Sequence, residues 1–412
     1  MNCGWKIKKL GEICEIQLGK TPARANSSFW DREKETGNIW LSIADLLNVD
    51  GHRAIDSKEY LSNEGAKLCK RVKKGTLLVS FKLTLGRLAY AGRDLFTNEA
   101  IAALTINDEC ELSREYLFYF LQFFDWEKEA RDDVKLKGMT LNKAKLKNIG
   151  VSIPSMAEQK RIVAILDEAF AGIETAIANT EKNLANSREI FDSRLDMSFS
   201  PKANRWQKKK LGEVYDVRDG THDSPKYQET GKALITSKNL KDGSLDLSNV
   251  KYISEEDYNK ICERSKVDKG DVLFAMIGTI GNPVVIEADP NYAIKNVALF
   301  KVPRGRSGVY LKYYLQSPFV IKKMKVEAKG TTQRFVGLGY LREFLIPMPN
   351  QDVERRTVRE LKEFESQARN LREVYVQKLE SLAELKQSLL QKAFSGELTA
   401  DRAEREVESA TA

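Results

Sequence analysis

Trp5-Lys6-Ile7-Lys8-Lys9-Leu10-Gly11-Glu12, near the start of the chain, is answered near its middle by Trp206-Gln207-Lys208-Lys209-Lys210-Leu211-Gly212-Glu213. The correspondence runs on. Gly19-Lys20-Thr21-Pro22 is matched by Gly220-Thr221-His222, and Val72-Lys73-Lys74-Gly75-Thr76-Leu77-Leu78 by Val267-Asp268-Lys269-Gly270-Asp271-Val272-Leu273. Gly86 and Gly281, Pro154 and Pro349, Leu166 and Leu361, and Phe199-Ser200 and Phe394-Ser395 keep the same order. The chain is therefore one unit of about 195 residues written twice.

Each unit changes texture along its length. The first part mixes short β-like runs, Thr76 to Phe81 and Ala100 to Ile106, then Val272 to Ile277 and Val297 to Val302, with Gly, Asn and Pro turns, which predicts a mixed α/β domain. The last 40 or so residues almost lack Gly and Pro and predict one long helix, about 60 Å at 1.5 Å per residue. Leu166, Phe170, Ile173, Ile177, Thr180, Leu184, Ser187 and Phe191 alternate spacings of four and three. So do Leu361, Phe364, Ala368, Leu371, Tyr375, Lys378, Leu382, Leu385 and Leu389. Such a seam needs a partner helix. Two on one chain favour pairing within the chain over dimerisation, since linked partners meet at high effective concentration. An antiparallel coiled coil relating two globular domains by a pseudo-twofold axis is the expected arrangement. Its parts are residues 1–155 and 205–350 as globular domains, 156–200 and 351–396 as helices, and 397–412 as an acidic tail.

The 412 residues carry 67 Lys plus Arg against 59 Asp plus Glu, a formal charge of +8, with a pI near 9.0. A 42% hydrophobic and 31% charged composition suits a soluble globular protein, without a membrane span or export signal, so a cytoplasmic location is expected. Five scattered cysteines without a C-x-x-C pair fit reduced thiols, not a disulfide framework or a zinc site. Two histidines, His52 and His222, exclude a His cluster. Gly19-Lys20-Thr21 lacks the leading glycine of a P-loop, since Cys14 stands in its place. No G-x-G-x-x-G follows a strand, and neither H-E-x-x-H nor G-x-S-x-G occurs. Asp132-Asp133 beside Lys135 reads as a solvated face and not as a nuclease core. Two copies of a domain without an evident catalyst favour binding.

Base reading needs directional donors and acceptors beside cations. Four segments have that mixture: Ser80 to Arg87 with Lys82, Thr84 and Arg87; Lys137 to Lys143 with Lys137, Thr140, Asn142 and Lys143; Thr236-Ser237-Lys238-Asn239; and Lys329 to Arg334 with Lys329, Thr331, Thr332, Gln333 and Arg334. Thr221 joins them. Lys67 to Lys74, and Lys312 with Lys322, Lys323 and Lys325, add charge suited to phosphates. Leu166, Phe170, Ile173, Ile177, Leu184, Leu361, Leu371, Leu382, Leu385 and Leu389 are the expected spacer and subunit-docking positions.

Over nearly its whole length the chain resembles the specificity subunit of type I restriction-modification systems. The residues that carry the resemblance are Leu10-Gly11-Glu12-Ile13, Asn98-Glu99-Ala100-Ile101-Ala102-Ala103-Leu104, Ile153-Pro154, Glu158-Gln159-Lys160-Arg161-Ile162-Val163 and Leu385-Lys386-Gln387-Ser388-Leu389-Leu390-Gln391-Lys392-Ala393-Phe394-Ser395-Gly396-Glu397-Leu398. The resemblance implies two target recognition domains, two conserved spacer helices and no catalytic activity. It implies double-stranded DNA, two modification subunits and two restriction subunits as partners, with S-adenosylmethionine, ATP and Mg in those partners and no cofactor or metal in this chain. One departure stands out: Glu354-Arg355-Arg356-Thr357-Val358 replaces the pattern of Gln159-Lys160-Arg161-Ile162-Val163, so contacts at the two helix starts are expected to differ. The rival reading is a coiled-coil assembly scaffold that never touches DNA.

Overall fold

The computed structural model describes residues 5–47, 49, 52–131, 134–135, 138–200, 206–241, 243–330 and 334–399. Lys137, Thr331, Thr332, Gln333, the Asp132-Asp133 pair and all but the first three residues of the tail lie outside the described residues. The chain divides into two compact units, residues 1–178 with 379–412, and residues 179–378. Each long helix, Met156–Phe199 and Gln351–Ser395, thus contributes one part to each unit.

The repeated opening motif has the same structural role in both units. Strand Lys6–Lys9 pairs antiparallel with Gly150–Ile153, and Gln207–Lys210 with Leu345–Met348, so the start of each globular domain is stitched to the strand that feeds its long helix. The backbone N–H of Leu10 donates to Ile149 O, and that of Leu211 to Phe344 O, both at 2.8 Å. Both leucines are fully buried. Glu12 and Glu213 accept from the N–H of Lys9 and Lys210 at 2.9 and 3.2 Å, satisfying a donor that the following helical turn leaves open.

In the first unit a five-stranded sheet runs Cys14–Leu18, Ile101–Ile106, Leu77–Ser80, Leu88–Ala91, Arg53–Ala54, antiparallel except for its last pair. A smaller sheet sets Ile39–Leu41 between Glu59–Tyr60 and Phe96–Thr97. The second unit repeats the scheme with Asp216–Asp219, Val297–Lys301, Val272–Ala275 and Gly281–Val285, and with Lys232–Ile235 between Lys251–Ile253 and Tyr292–Ile294. The β-like runs of the sequence are the central strands of these sheets, buried on both faces.

Within each unit the parts of the two long helices run antiparallel. In the first, the Thr399 hydroxyl bonds Glu158, and the Lys386 ammonium lies 3.9 Å from Glu174 and 4.6 Å from the Phe170 ring centroid. Leu166, Phe170 and Ile173 share one core with Leu390 and Ala393, and Phe394 packs edge-on against Tyr116 and Phe120. In the second, Arg194 reaches Glu360 at 3.4 Å, and Phe191, Leu195 and Phe199 share a core with Leu361 and Ala368.

The seam of the first helix follows the spacing read from its sequence, down to the buried Thr180 and Ser187 and half-buried Ile177 and Leu184. That of the second differs at three of its alternate positions, Leu371, Lys378 and Leu385. Leu361, Phe364, Ala368, Tyr375, Leu382 and Leu389 are buried or half-buried as expected, but Glu365, Arg372, Leu379, Lys386 and Ala393 turn inward as well, and Leu371, Lys378 and Leu385 do not. Leu371 and Leu385 remain 39% and 47% exposed, and Lys378 is exposed. Long charged side chains bury their stems along apolar surface while their heads find polar partners, so hydrophobicity alone selects the wrong alternate. Glu365 shows it, accepting from the Tyr313 hydroxyl at 2.7 Å and pairing with Lys312 at 3.3 Å.

Candidate nucleic-acid interface

One end of each sheet collects most of the segments singled out above. In the first unit the chain leaves Leu77–Ser80 into a turn that closes on itself. The Ser80 hydroxyl donates to Thr84 O at 2.5 Å and accepts from Arg87 N at 2.9 Å, while Leu83 takes a left-handed conformation at φ +64°. Phe81 is pinned between two neighbours: its N–H donates to Ala100 O, and its carbonyl accepts from Leu141 N, both at 3.0 Å. Lys82 and Thr140 form an isolated antiparallel bridge. The Ser80–Arg87 turn and the Thr140–Lys143 segment, separate in sequence, are thus one surface. It presents Arg87 and Lys143 exposed and Lys82, Thr84 and Thr140 half-buried. Asn142 caps the helix Lys143–Asn148, its side chain accepting from Lys145 N at 2.9 Å.

The second unit builds the same junction with different side chains. Val336 N donates to Met276 O, Ile277 bridges Phe335, and Lys329 and Phe335 exchange backbone hydrogen bonds. Gly278 N reaches Arg334 O at 2.9 Å, with Gly278 at φ +74° where the first unit has Leu83. Lys329 and Arg334 are exposed, and the Arg334 guanidinium donates to Lys325 O at 3.1 Å, which fixes its direction.

Beside these turns the strand ends Leu18 and Asp219 lead into Gly19 and Gly220. A Cβ on Gly19 would lie 2.2 Å from the carbonyl oxygens of Thr97 and Asn98, and one on Gly220 2.3 Å from Ile294 O, so only glycine allows the approach. Lys20 N then donates to Thr97 O and Thr221 N to Ile294 O, which makes Thr21 and His222 equivalent positions. Thr21 donates its hydroxyl to Glu99. His222 directs Nδ1 at Asn296 Oδ1 and Nε2 at Asp219 Oδ2, both 2.8 Å away; these bonds, to Asn296 first and then to Asp219, hold its pKa above the ordinary value. Lys295 reaches the Ser224 hydroxyl at 2.6 Å and Thr221 lies beside it. Thr236 follows at the same end, because Lys295 N donates to Ile235 O.

Asn239 has another role from the one its residue type suggests. It is 6% exposed, its amide donates to Asp246 O and Asn249 O at 3.0 and 3.2 Å, and its oxygen accepts from Thr236 N at 3.0 Å. It holds its loop closed and leaves Lys238 exposed and Ser237 half-buried at the surface. The basic run before Leu77 is also set apart: Lys73 and Lys74 lie at the far end of that strand, bound to Asp94. Lys312 is spent on Glu365.

Sequence reading missed a charged group on the first unit. The Arg24 guanidinium lies 4.7 and 5.0 Å from the ring centroids of Trp30 and Trp40 and forks onto both oxygens of Glu59, one at 3.0 Å. The hydrogen bond to Glu59 raises its pKa above the usual arginine value, and the Glu99 carboxylate adds to that shift. A cavity of 440 Å³ opens beside it, lined by Arg24, Ser27, Trp30, Asp31, Lys58 and Tyr60 among others. Trp30 and Trp40 around a polar stretch with Arg32, and Arg24 just ahead of Trp30, was the signal available in the sequence.

Two units of one design, each gathering cations and directional hydrogen-bonding groups at one sheet end, define a protein with two recognition heads. The family model for the type I restriction modification DNA specificity domain matches residues 2–184 and again 204–380, and the chain belongs to that family. It is a DNA sequence-specificity subunit of the type I class. The MjaIX specificity subunit of Methanocaldococcus jannaschii is 24% identical over 96% of this chain and 93% of its own length. The EcoBI specificity subunit of Escherichia coli is 30% identical across 41% of this chain and 36% of its own. Among solved structures, a chain from a type I R-M system studied for complex assembly and conformational transition has a TM-score of 0.74 at 20% identity, covering 96% of this chain and 98% of its own. The HsdS subunit from Thermoanaerobacter tengcongensis has a TM-score of 0.55 at 19% identity, with the same coverage. The family is non-catalytic in general and works in assembly with methyltransferase and restriction subunits on DNA. Among the described residues, no helix is long and apolar enough to cross a membrane.

Proposed function

We propose that residues 1–155 read one half of a split, asymmetric DNA target and residues 205–350 the other, with the paired helices setting the unread spacer between them. The observation that carries this reading is the equivalent sheet end of each unit, built on one backbone plan but furnished with different side chains. Lys82, Arg87 and Lys143 in the first unit and Lys238, Lys329 and Arg334 in the second suit phosphate and base-edge contacts. In this reading the chain has no catalytic step and no cofactor or metal of its own. Two modification subunits dock on the helices and methylate adenine with S-adenosylmethionine, two restriction subunits supply ATP- and Mg-dependent translocation and cleavage, and the complex works in the cytoplasm. The experiment is single-molecule sequencing of DNA from cells expressing this chain with the modification subunit of its system. A two-part motif with unlike halves is expected, and a continuous motif overturns the proposal. A scaffold without DNA contacts predicts instead that methylation is indifferent to Arg87→Ala and Lys329→Ala.

A further inference from the structure

A carboxylate on a surface that must approach phosphates is repelled by them, and it is tolerated there when it faces an amino donor. Glu99 is such a carboxylate. It is exposed at the reading end of the first unit, next to Ala100, whose carbonyl accepts from the N–H of Phe81 just ahead of Lys82, and the Thr21 hydroxyl holds it in place. A carboxylate offers about four acceptor sites, so the Thr21 bond leaves capacity to accept more. Arg24 reaches the same corner through Trp40: its guanidinium lies 5.0 Å from that ring centroid, and Trp40 Nε1 donates at 3.0 Å to the carbonyl of Lys20, the residue before Thr21. Its plane lies against two tryptophans and Glu59 takes one edge of the fork, while the five N–H donors of a guanidinium leave others for a ligand. A donor fork and an acceptor gathered at one corner suit the major-groove edge of a G·C pair, which sets guanine N7 and O6 next to the amino group on cytosine N4.

We infer that Arg24 and Glu99, positioned by Glu59 and Thr21, are the specificity-determining pair of the first unit and read a G·C pair, Arg24 donating to guanine and Glu99 accepting from the cytosine amino group. The inference rests on the reading of this chain as a split-target DNA reader. The equivalent place in the second unit presents His222, Asn296 and Lys295, a different set with neither the guanidinium fork nor an exposed carboxylate.

The test uses the full chain with its modification subunits. The methylated motif is mapped for the wild type, Arg24→Lys and Glu99→Gln. Lysine keeps the charge and loses the fork, and glutamine keeps the shape and loses the charge. The expected result is an unchanged second half-site and one G·C position of the first half-site becoming degenerate, with discrimination there falling about 10- to 100-fold. Fluorescence anisotropy of each complex on duplexes carrying the mapped motif, with that pair intact or inverted, gives the same ratio without methylation; thermal melts confirm that the variants fold. A motif unchanged in both variants overturns the inference, as does a change in the second half-site or a uniform loss of affinity for both duplexes. A wild type that methylates no split motif overturns the underlying reading instead.

Discussion

The two helix starts solve one problem by different chemistry. Gln159 is fully buried in the first unit: its oxygen accepts from Ser113 N at 2.7 Å and its amide donates to Glu111 O and Pro154 O at 2.9 and 3.0 Å. One neutral side chain closes the junction. In the second unit Glu354 stands at that place, 2% exposed, accepting from Ser307 N at 2.7 Å. A carboxylate cannot donate to the proline carbonyl, so Arg306 does both tasks, reaching Glu354 at 2.9 Å and Pro349 O at 3.3 Å. The lesson is that a geometry can be kept through a repeat while its electrostatics change, provided a second residue supplies what the first gave up. A buried ion pair is also more fragile to the loss of one partner than a neutral bond.

That contrast can be broken most sharply by Glu354→Ala, which leaves the partly exposed Arg306 without its carboxylate and the Ser307 N–H without its acceptor, and should cost about 2–5 kcal/mol. Urea denaturation of the full chain should show the second unit's transition moving and the first staying. A loss under about 1 kcal/mol would erase the distinction. Next comes the seam. Leu390→Ala, at 1% exposure in the first unit, should cost about 2–5 kcal/mol, whereas Leu385→Ala, at 47%, should stay within about 0.5 kcal/mol. Equal losses would restore Leu385 to the seam. Gln159→Ala should follow at about 1–3 kcal/mol, the cost of leaving a buried donor and acceptors unmade without stranding a charge; the difference from Glu354→Ala sharpens the comparison.

The smallest effect concerns the reading ends, where the second unit has His222 at the position that Thr21 holds in the first. The folded pKa of His222 is raised, so its contribution to stability is full below the unfolded value near 6.5 and is lost as pH rises through the folded value. The second unit should therefore weaken slightly on going from pH 6 to pH 8, the first unit should lack this component, and His222→Gln should flatten the dependence. Denaturation midpoints across that range decide it; a slope unchanged by the substitution would remove His222 as its source.

The repeat, the long helices, the central strands and the family were all legible in the residues, because periodic hydrophobicity and a recurring motif are local properties. The departure at Glu354 was legible as well, though its partner Arg306 was not. The Ser80–Arg87 and Thr140–Lys143 segments could be chosen by residue type, but their union through Phe81 comes from strand pairing. Asn239 went the other way, since an amide that looks suited to adenine is consumed by its own loop. Arg24 and Glu99 were passed over because neither is distinctive alone, and Glu99 joins Thr21 from 78 positions away.

By itself, then, the sequence determined a twofold-written chain of sheet domains and long helices with cations on its loops, since alternation, heptad spacing and glycine placement constrain backbone directly. Only the tertiary structure decided which face of the second long helix is buried, which polar residues are spent on folding and which remain for a ligand. Those outcomes depend on what each side chain meets across the fold, and a hydrogen bond used internally is no longer available to DNA.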